Sequence, residues 1–241
     1  MILETKSLLL REMIPDDFQA LLRVLGDPET MCHYSYTFDG QHVRDWIERN
    51  MNRYRKDGFG LWAVCLKDTG EMIGDCGLTL QNINGEILPE IGYHICRDCQ
   101  RKGYAKEAAR AARDWAFRNT DYPALYSYCK YTNVPSFRTA ESIGMRFACE
   151  YPDEINEKTH VSVITREEWL NELTENINWG HCGISLGDGR IIHAWDMVRI
   201  NDYREIEAMT ALSGDRPGYI GWVPIESVLY GNKISIQEIG Q

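Results

Sequence analysis

Nowhere does this chain hold an apolar run long enough to cross a bilayer, which excludes a helical membrane protein. No charged-then-apolar leader opens it either: Met1 to Arg11 alternate like a strand, so a cytoplasmic location is expected. Basic charge is scarce. Against 36 Asp and Glu there are 26 Lys and Arg, a net charge of −10, which argues against a nucleic-acid partner and is compatible with a cationic or amine substrate. Metal-ligand spacing is also lacking. One Cys-x-x-Cys, Cys96–Cys99, has no second copy and no His pair at finger spacing, so no metal site is expected. Cys65, Cys76, Cys129 and Cys149 sit in apolar, strand-like surroundings and read as buried, reduced thiols. There are no repeats and no low-complexity tract. The 241 residues, 44% hydrophobic, suit one large domain or a medium one with an appendage.

What is present is most telling at Gln100-Arg101-Lys102-Gly103-Tyr104-Ala105. This stretch follows an expected strand, Glu90 to Cys96, and opens an alanine-rich helix running to about Asn119. A helix N-terminus bares unpaired amides and carries partial positive charge, so a turn of this composition suits a pyrophosphate. Gly103 permits close approach, and Arg101 and Lys102 add cations. Ala105, Ala108, Ala109, Ala112 and Ala116 give the helix a small-residue face for tight packing on a sheet.

Upstream, Lys6 to Met13 reads as a strand, Pro15-Asp16-Asp17 opens a helix carrying Phe18, Leu21, Leu22 and Leu25, and a second helix spans about Gln41 to Lys56. Gly60 to Lys67 and Glu71 to Gln81 form a hairpin about Asp68-Thr69-Gly70, with a loop at Asn82 to Gly85 before the next strand at Pro89 to Cys96. Downstream come a strand at Ala124 to Lys130, a helix ending at Ile143-Gly144, strands at Met145 to Glu150 and His160 to Thr165, and a helix at Arg166 to Leu173. Antiparallel strands first and a strand–helix–strand crossover later predict an α+β domain over residues 1–172. A β-rich unit would occupy 178–241.

The ordered motifs Leu8-Leu9-Leu10-Arg11, Gly60-Leu61-Trp62-Ala63-Val64, Ile73-Gly74-Asp75-Cys76-Gly77-Leu78, Glu90-Ile91-Gly92-Tyr93, Gly103-Tyr104-Ala105, Asn133-Val134-Pro135-Ser136 and Ile143-Gly144-Met145 resemble the GNAT acetyltransferases. The closest branch in motif is that of the RimJ and RimL ribosomal-protein alanine N-acetyltransferases, and the likeness covers about residues 3–169. It implies a mostly antiparallel sheet flanked by helices and acetyl transfer from acetyl-CoA to an amine, a protein N-terminus or a small molecule. The pantetheine arm would lie between the strands Glu90–Cys96 and Ala124–Lys130, beside Ile95 and Cys96, with the pyrophosphate on Gln100 to Ala105. Glu90 is the implied base, and an amide near Ile95 the implied oxyanion donor. Many members carry a tyrosine acid where this chain has Ala140; Ser136 is the implied substitute, with Asn133 holding cofactor or acceptor and Tyr128 and Tyr131 as further candidates. Asn133 and Ser136 equally suit a helix cap, and Glu90 a solvated strand end. The loops Tyr34–Gly40 and Gln81–Leu88 would border the acceptor pocket, with Tyr34 and Tyr36 either lining it or packing within their loop.

Past Trp179, Gly180 to Ala194 read as two strands about Gly187-Asp188-Gly189, with two more at Val198–Tyr203 and Gly218–Pro224. This segment resembles the C-terminal half of NlpC-type cell-wall peptidases, which implies His181 as base and His193 as its orienting partner. The nucleophilic cysteine is missing: Cys182 neighbours His181 on the opposite strand face, and Cys129 belongs to an acetyltransferase strand. A peptidase or amidase, and a non-catalytic acetyl-CoA-binding regulator, are the rival readings. An appendage of this size is expected to dock on the larger domain or to pair two copies as a homodimer.

Overall fold

The computed structural model describes the backbone of residues 2–175, 182–185, 190–194 and 198–202, and side chains as far as residue 173. Two units separate, Met1–Leu173 and Thr174–Gln241. In the first, β1 (Leu3–Glu4) and β2 (Leu8–Arg11) lead through a 3-10 turn, Pro15–Asp17, into α1 (Phe18–Leu25) and α2 (Gly40–Asp57). A meander of β3 (Leu61–Leu66), β4 (Met72–Ile83) and β5 (Glu86–Ile95) follows, then α3 (Tyr104–Asn119), β6 (Ala124–Lys130), α4 (Val134–Ser142), β7 (Arg146–Asp153), β8 (Glu157–Thr165) and α5 (Arg166–Glu175). These strands form one sheet in the order β1-β2-β3-β4-β5-β6-β8-β7, antiparallel at every junction except β5–β6. The expected α+β architecture is what is seen.

Each face of the sheet has its own apolar layer. Ala108, Ala109, Ala112 and Ala116 of α3 are fully buried in the layer that holds Trp62, Leu78, Ile91 and Leu125. Small side chains let the helix axis come close to the strands. On the other face, α1 and α2 place Leu21, Val24, Leu25, Val43 and Ile47 over Leu61, Ala63 and Cys65. Gly77 is required there: a Cβ on it would stand 2.1 Å from the Gly60 carbonyl oxygen.

Three expectations need correction. The loop at Asn82–Gly85, and the wider loop Gln81–Leu88, are strand: β4 and β5 pair from Gly74↔Ile95 to Ile83↔Glu86. Only Asn84 and Gly85 turn, both left-handed at φ 52° and 89°. An Asn-Gly pair adopts that two-residue turn because both residues tolerate positive φ. Glu90 therefore lies inside β5, not at its start. Cys149 is exposed, because β7 is the outer strand of the sheet and its register shifts between Phe147 and Cys149. In the second unit, β9 (Cys182–Ser185), β10 (Arg190–Ala194) and β11 (Val198–Asp202) make an antiparallel sheet in the order β11-β10-β9. His193 is in β10; His181 and the expected strand at Gly218–Pro224 lie outside the described residues.

α3 also carries a buried charge. Arg113 is 1% exposed; its guanidinium donates to the Ile143 carbonyl, to Glu172 Oε2 at 2.5 Å and to Asp114 Oδ1 at 2.7 Å. Trp169 Nε1 donates to the same Asp114 oxygen at 2.9 Å, so one cation ties α3 to α5 and to the end of α4. Removing one partner of such a pair leaves uncompensated charge. Arg113→Ala is expected to cost about 3 kcal/mol, the low end for a buried pair because its two carboxylates stay partly solvated, read as a lower urea midpoint with unchanged slope.

Candidate active site

β5 and β6 share a single ladder pair, Glu90↔Tyr126, and diverge beyond it. The main-chain direction of β5 follows from its other neighbour. Cys96 N–H bonds to the Ile73 carbonyl at 2.8 Å, so by antiparallel alternation His94, Gly92 and Glu90 also turn their main chain toward β4. Ile91, Tyr93 and Ile95 turn theirs toward the gap. The oxyanion donor expected near Ile95 thus faces the opening, whereas the Cys96 amide is already used. The Ile95 carbonyl accepts from Gln100 Nε2 at 3.0 Å, so the Gln100 side chain fastens the turn to the strand end.

That turn delivers the chain to α3. Arg101 is left-handed at φ 59°, Gly103 is left-handed at 87°, and no side chain caps the helix. Nothing lies within 4 Å of where a Gly103 Cβ would be, so the amides of Tyr104 and Ala105 begin the helix beside open space. The acidic residue of the first turn is turned away: Glu107 Oε1 accepts from Thr5 Oγ1 and from Ser7 N–H, both at 2.6 Å. Lys102 and Arg101 are exposed on the same turn.

On the α2 face of the sheet, the register pairs Thr79 with Glu90, Gly77 with Gly92 and Asp75 with His94. Glu90 is 8% exposed and accepts from Thr79 Oγ1 at 2.8 Å, a hydroxyl that itself accepts from Gln81 Nε2 at 3.2 Å. Its carboxyl lies over Gly92, where a Cβ would meet both oxygens at 3.1 Å. Burial pushes this carboxyl up to about 7, against the Thr79 hydrogen bond and the charges of His94 and Arg53, which pull it down, and with Asp75 adding to the rise. Glu90 is therefore not a solvated strand end.

Sequence reasoning missed the other end of this row. Asp75 is fully buried; Trp46 Nε1 donates to its Oδ2 at 2.8 Å, and His94 Nδ1 lies 2.7 Å from its Oδ1. The His94 Nε2 is 2.7 Å from the Tyr34 hydroxyl. With Nδ1–H given to Asp75, the neutral ring accepts from Tyr34; the protonated ring donates to it. Burial opposes charge on His94, but the Asp75 carboxylate and its hydrogen bond outweigh it and raise the ring's pKa, aided by Glu90. Tyr34 is 48% exposed, and its hydroxyl is held well above the usual phenol range by desolvation and by the nearby carboxylates. Tyr36 instead stacks on Phe38 at 5.5 Å within its own loop. Asp75 and His94 are nineteen residues apart, and only the β4–β5 register joins them.

At the mouth of the gap, Asn133 caps α4, its side chain accepting from Ser136 N–H at 3.2 Å. Tyr93 donates to the Ser136 carbonyl at 2.7 Å, and Ser136 Oγ stands 3.5 Å from the Tyr93 hydroxyl. Tyr93, absent from the candidates read from sequence, thus links β5 to α4. Tyr131 is at the surface with its hydroxyl on Glu157 Oε2 at 3.3 Å, and burial raises the Tyr128 phenol well above its usual range. The Cys96 thiol is pushed up to about 12 by burial and by Cys99, the reverse of a reactive thiolate. Among the described residues no group of His, Cys, Asp and Glu could hold a metal, and no helix is long and apolar enough to cross a membrane.

The domain that carries this site is matched in known proteins. The sequence model of the acetyltransferase (GNAT) domain fits residues 7–146. The chain belongs to the GNAT acetyltransferases. YkkB of Bacillus subtilis (strain 168), itself uncharacterized, is 35% identical over 147 residues, 61% of this chain and 86% of that protein. An acetyltransferase structure from Agrobacterium tumefaciens str. C58 superposes with a TM-score of 0.59 at 28% identity, covering 67% of this chain and 92% of that one. A RimL ribosomal L7/L12 alpha-N-protein acetyltransferase in complex with coenzyme A shares the fold alone, with a TM-score of 0.57 at 16% identity over 68% and 97% of the two chains. The matched region ends at residue 146 and lends no support to the peptidase-like reading of the C-terminal segment of this acetyltransferase.

The buried Glu90 has a stability signature. Its folded pKa, about 7, exceeds the ordinary 4.5, so the folded state is favoured by the neutral acid. Below pH 4.5 burial of this group carries no charge penalty; as pH rises through 7 the penalty grows to about 3 kcal/mol, at 1.36 kcal/mol per pKa unit. Glu90→Gln, which keeps an acceptor for Thr79, is expected to match the parent in Tm near pH 4.5 and to exceed it above pH 8, by calorimetry across that range.

Proposed function

We propose that this acetyltransferase uses acetyl-CoA to acetylate a primary amine, with Glu90 taking the ammonium proton. The observation that carries the reading is a buried carboxyl with a pKa near neutrality, at the one point where β5 and β6 still pair. A base of that strength is half ionised at physiological pH and suits proton removal there.

Bound acetyl-CoA supplies the acyl group as a thioester. The residues that would hold it are the gap-facing main chain of Tyr93 and Ile95, and the Gly103, Tyr104 and Ala105 amides with Arg101 and Lys102 beside them; the open, uncapped turn fits a diphosphate. Cys96 and Gln100 shape the turn. In the net reaction a nitrogen–carbon bond forms, a carbon–sulfur bond breaks, and the ammonium nitrogen loses two protons: Glu90 takes the first and passes it to solvent, and the second, lost from nitrogen after attack, is balanced by the one delivered to sulfur. Ser136 returns one to sulfur: its hydroxyl reaches the Cys129 thiol and stands 3.5 Å from the Tyr93 hydroxyl, whose own proton is committed to the Ser136 carbonyl. Asn133 positions Ser136 through the cap. His94, backed by Asp75, fixes the Tyr34 hydroxyl along the same row as Glu90 and closes the recess in which the amine would lie. The acceptor amine belongs to a protein N-terminus or to a small molecule.

Thiol release from acetyl-CoA against a panel of amines tests this reading. The pH profile of kcat/KM should fall on its acid side with an apparent pKa near 7. Glu90→Gln should lower kcat/KM by roughly 10² to 10⁴ and abolish that limb; a retained limb would remove Glu90 from the role. Gly92→Ala offers an independent check, since its methyl displaces the Glu90 carboxyl without touching its chemistry. A loss of at least about tenfold in kcat at near-parental Tm is expected, because misplacement of a catalytic group by a fraction of an ångström is costly.

A further inference from the structure

A cleft of about 650 Å3 opens on the flank of α2 and is lined by Arg49, Arg53, Arg55 and Lys56. One carboxylate, Asp57, shares its wall, and none of the four cations forms an ion pair among the described residues. Arg55 donates to Asn52 and Arg53 to Asn50, at 2.5 and 3.4 Å, and Arg49 lies 5.8 Å over the Trp46 ring. The helix dipole accounts for Arg55 and Lys56, which sit in the last turn of α2. It does not account for Arg49 and Arg53. These are like charges one turn apart, which repel, in a chain whose acidic residues outnumber basic ones by 36 to 26. Repelling guanidinium groups turned into a recess are arranged to receive an anion, since charge-assisted hydrogen bonds to a carboxylate relieve the repulsion.

The Arg53 side of the cleft lies toward Glu90. Arg53 Cβ packs by Gly60, the Gly60 carbonyl covers Gly77, and Gly77 pairs with Gly92 beneath the Glu90 carboxyl. Arg53 and Glu90 each feel the other's charge. Leu80 and Ile87, 65% exposed, add an aliphatic lip. We infer that the cleft binds a carboxylate of the acceptor, so that the enzyme selects amines bearing an anionic group across an aliphatic spacer from the reacting nitrogen. The inference rests on the acetyl-transfer reading and adds the substrate class to it.

Matched acceptors test it. C-terminally amidated Ala-Glu-Glu is compared with Ala-Gln-Gln, and γ-aminobutyrate with butylamine, by kcat/KM for the parent, for the double variant Arg49→Gln/Lys56→Gln and for the control Arg44→Gln, an α2 arginine that lies over Phe18 and outside the cleft. Preference for the carboxylate-bearing member by roughly tenfold or more, collapsing toward one in the double variant and kept in the control, upholds the inference; the pair that shows it distinguishes a peptide from a small-molecule acceptor. Equal kcat/KM within both pairs overturns it, as does a preference that survives the double variant or a double variant that changes only KM for acetyl-CoA. Should no amine turn over, the acetyl-transfer reading fails separately. Calorimetry with Ala-Glu-Glu then decides the cleft: heat lost in the double variant upholds it, and no heat with the parent overturns it.

Discussion

The constraint on which the rest depends is the shortness of the β5–β6 junction. Each strand is already committed elsewhere, β5 to β4 along its whole length and β6 to β8 from Ala124↔Thr165 to Lys130↔Thr159. Pro89 brings no N–H to the side facing β6. The sheet is thus two self-sufficient halves meeting at one pair, and something else must hold them together. α3 does so at both ends. Glu107 receives the N-terminal half through Thr5 and Ser7, and Arg113 binds the C-terminal half through Ile143 and Glu172. A gap of unpaired main chain is normally costly in a sheet interior; here a charged strut holds it open.

That division explains what could be read from the sequence. Ala124–Lys130 was legible to the residue, and α3 from its alanine face, because both are local patterns of type and period. The hairpin at Asn84-Gly85 was misjudged although the dipeptide signals it, since its polar and acidic neighbours Asn82 and Glu86 resemble a loop and β4 and β5 run past the edge of β3. The Asp75–His94–Tyr34 chain was not legible. It exists only through a register of nineteen residues and a loop that folds back over β5, neither of which leaves a periodic trace. Arg113 was hidden for a related reason: an arginine on a helix is ordinarily solvated, and its burial needs partners from α4 and α5. Glu90 was singled out through family likeness, while its depth and its perch on Gly92 came from the fold.

Two buried carboxylates on one sheet face, Asp75 of β4 and Glu90 of β5, differ in their donors. Asp75 has two ring N–H partners, from Trp46 and His94. Glu90 has one hydroxyl, from Thr79, and burial raises its pKa to about 7. Asp75, paired across to His94, is offset from Glu90 by about 13 Å along the strand direction, the rise of an extended strand over four residues, with the Glu90 carboxyl leaning back over Gly92 into the space between.

The cationic cleft and Glu90 are then parts of one electrostatic arrangement. Arg53 lowers the Glu90 pKa through its positive charge, while burial raises it. An acceptor carboxylate seated among Arg49, Arg53 and Lys56 would offset that positive charge and let the Glu90 pKa climb. The base would strengthen when its substrate is in place and remain weaker, and less costly to bury in its ionised form, when the cleft is empty. Direct contact between the two sites is unnecessary for this coupling, because in a poorly solvated recess charge acts over several ångströms. Its sign follows from the charges alone: an anionic acceptor raises the Glu90 pKa, and a neutral one does not.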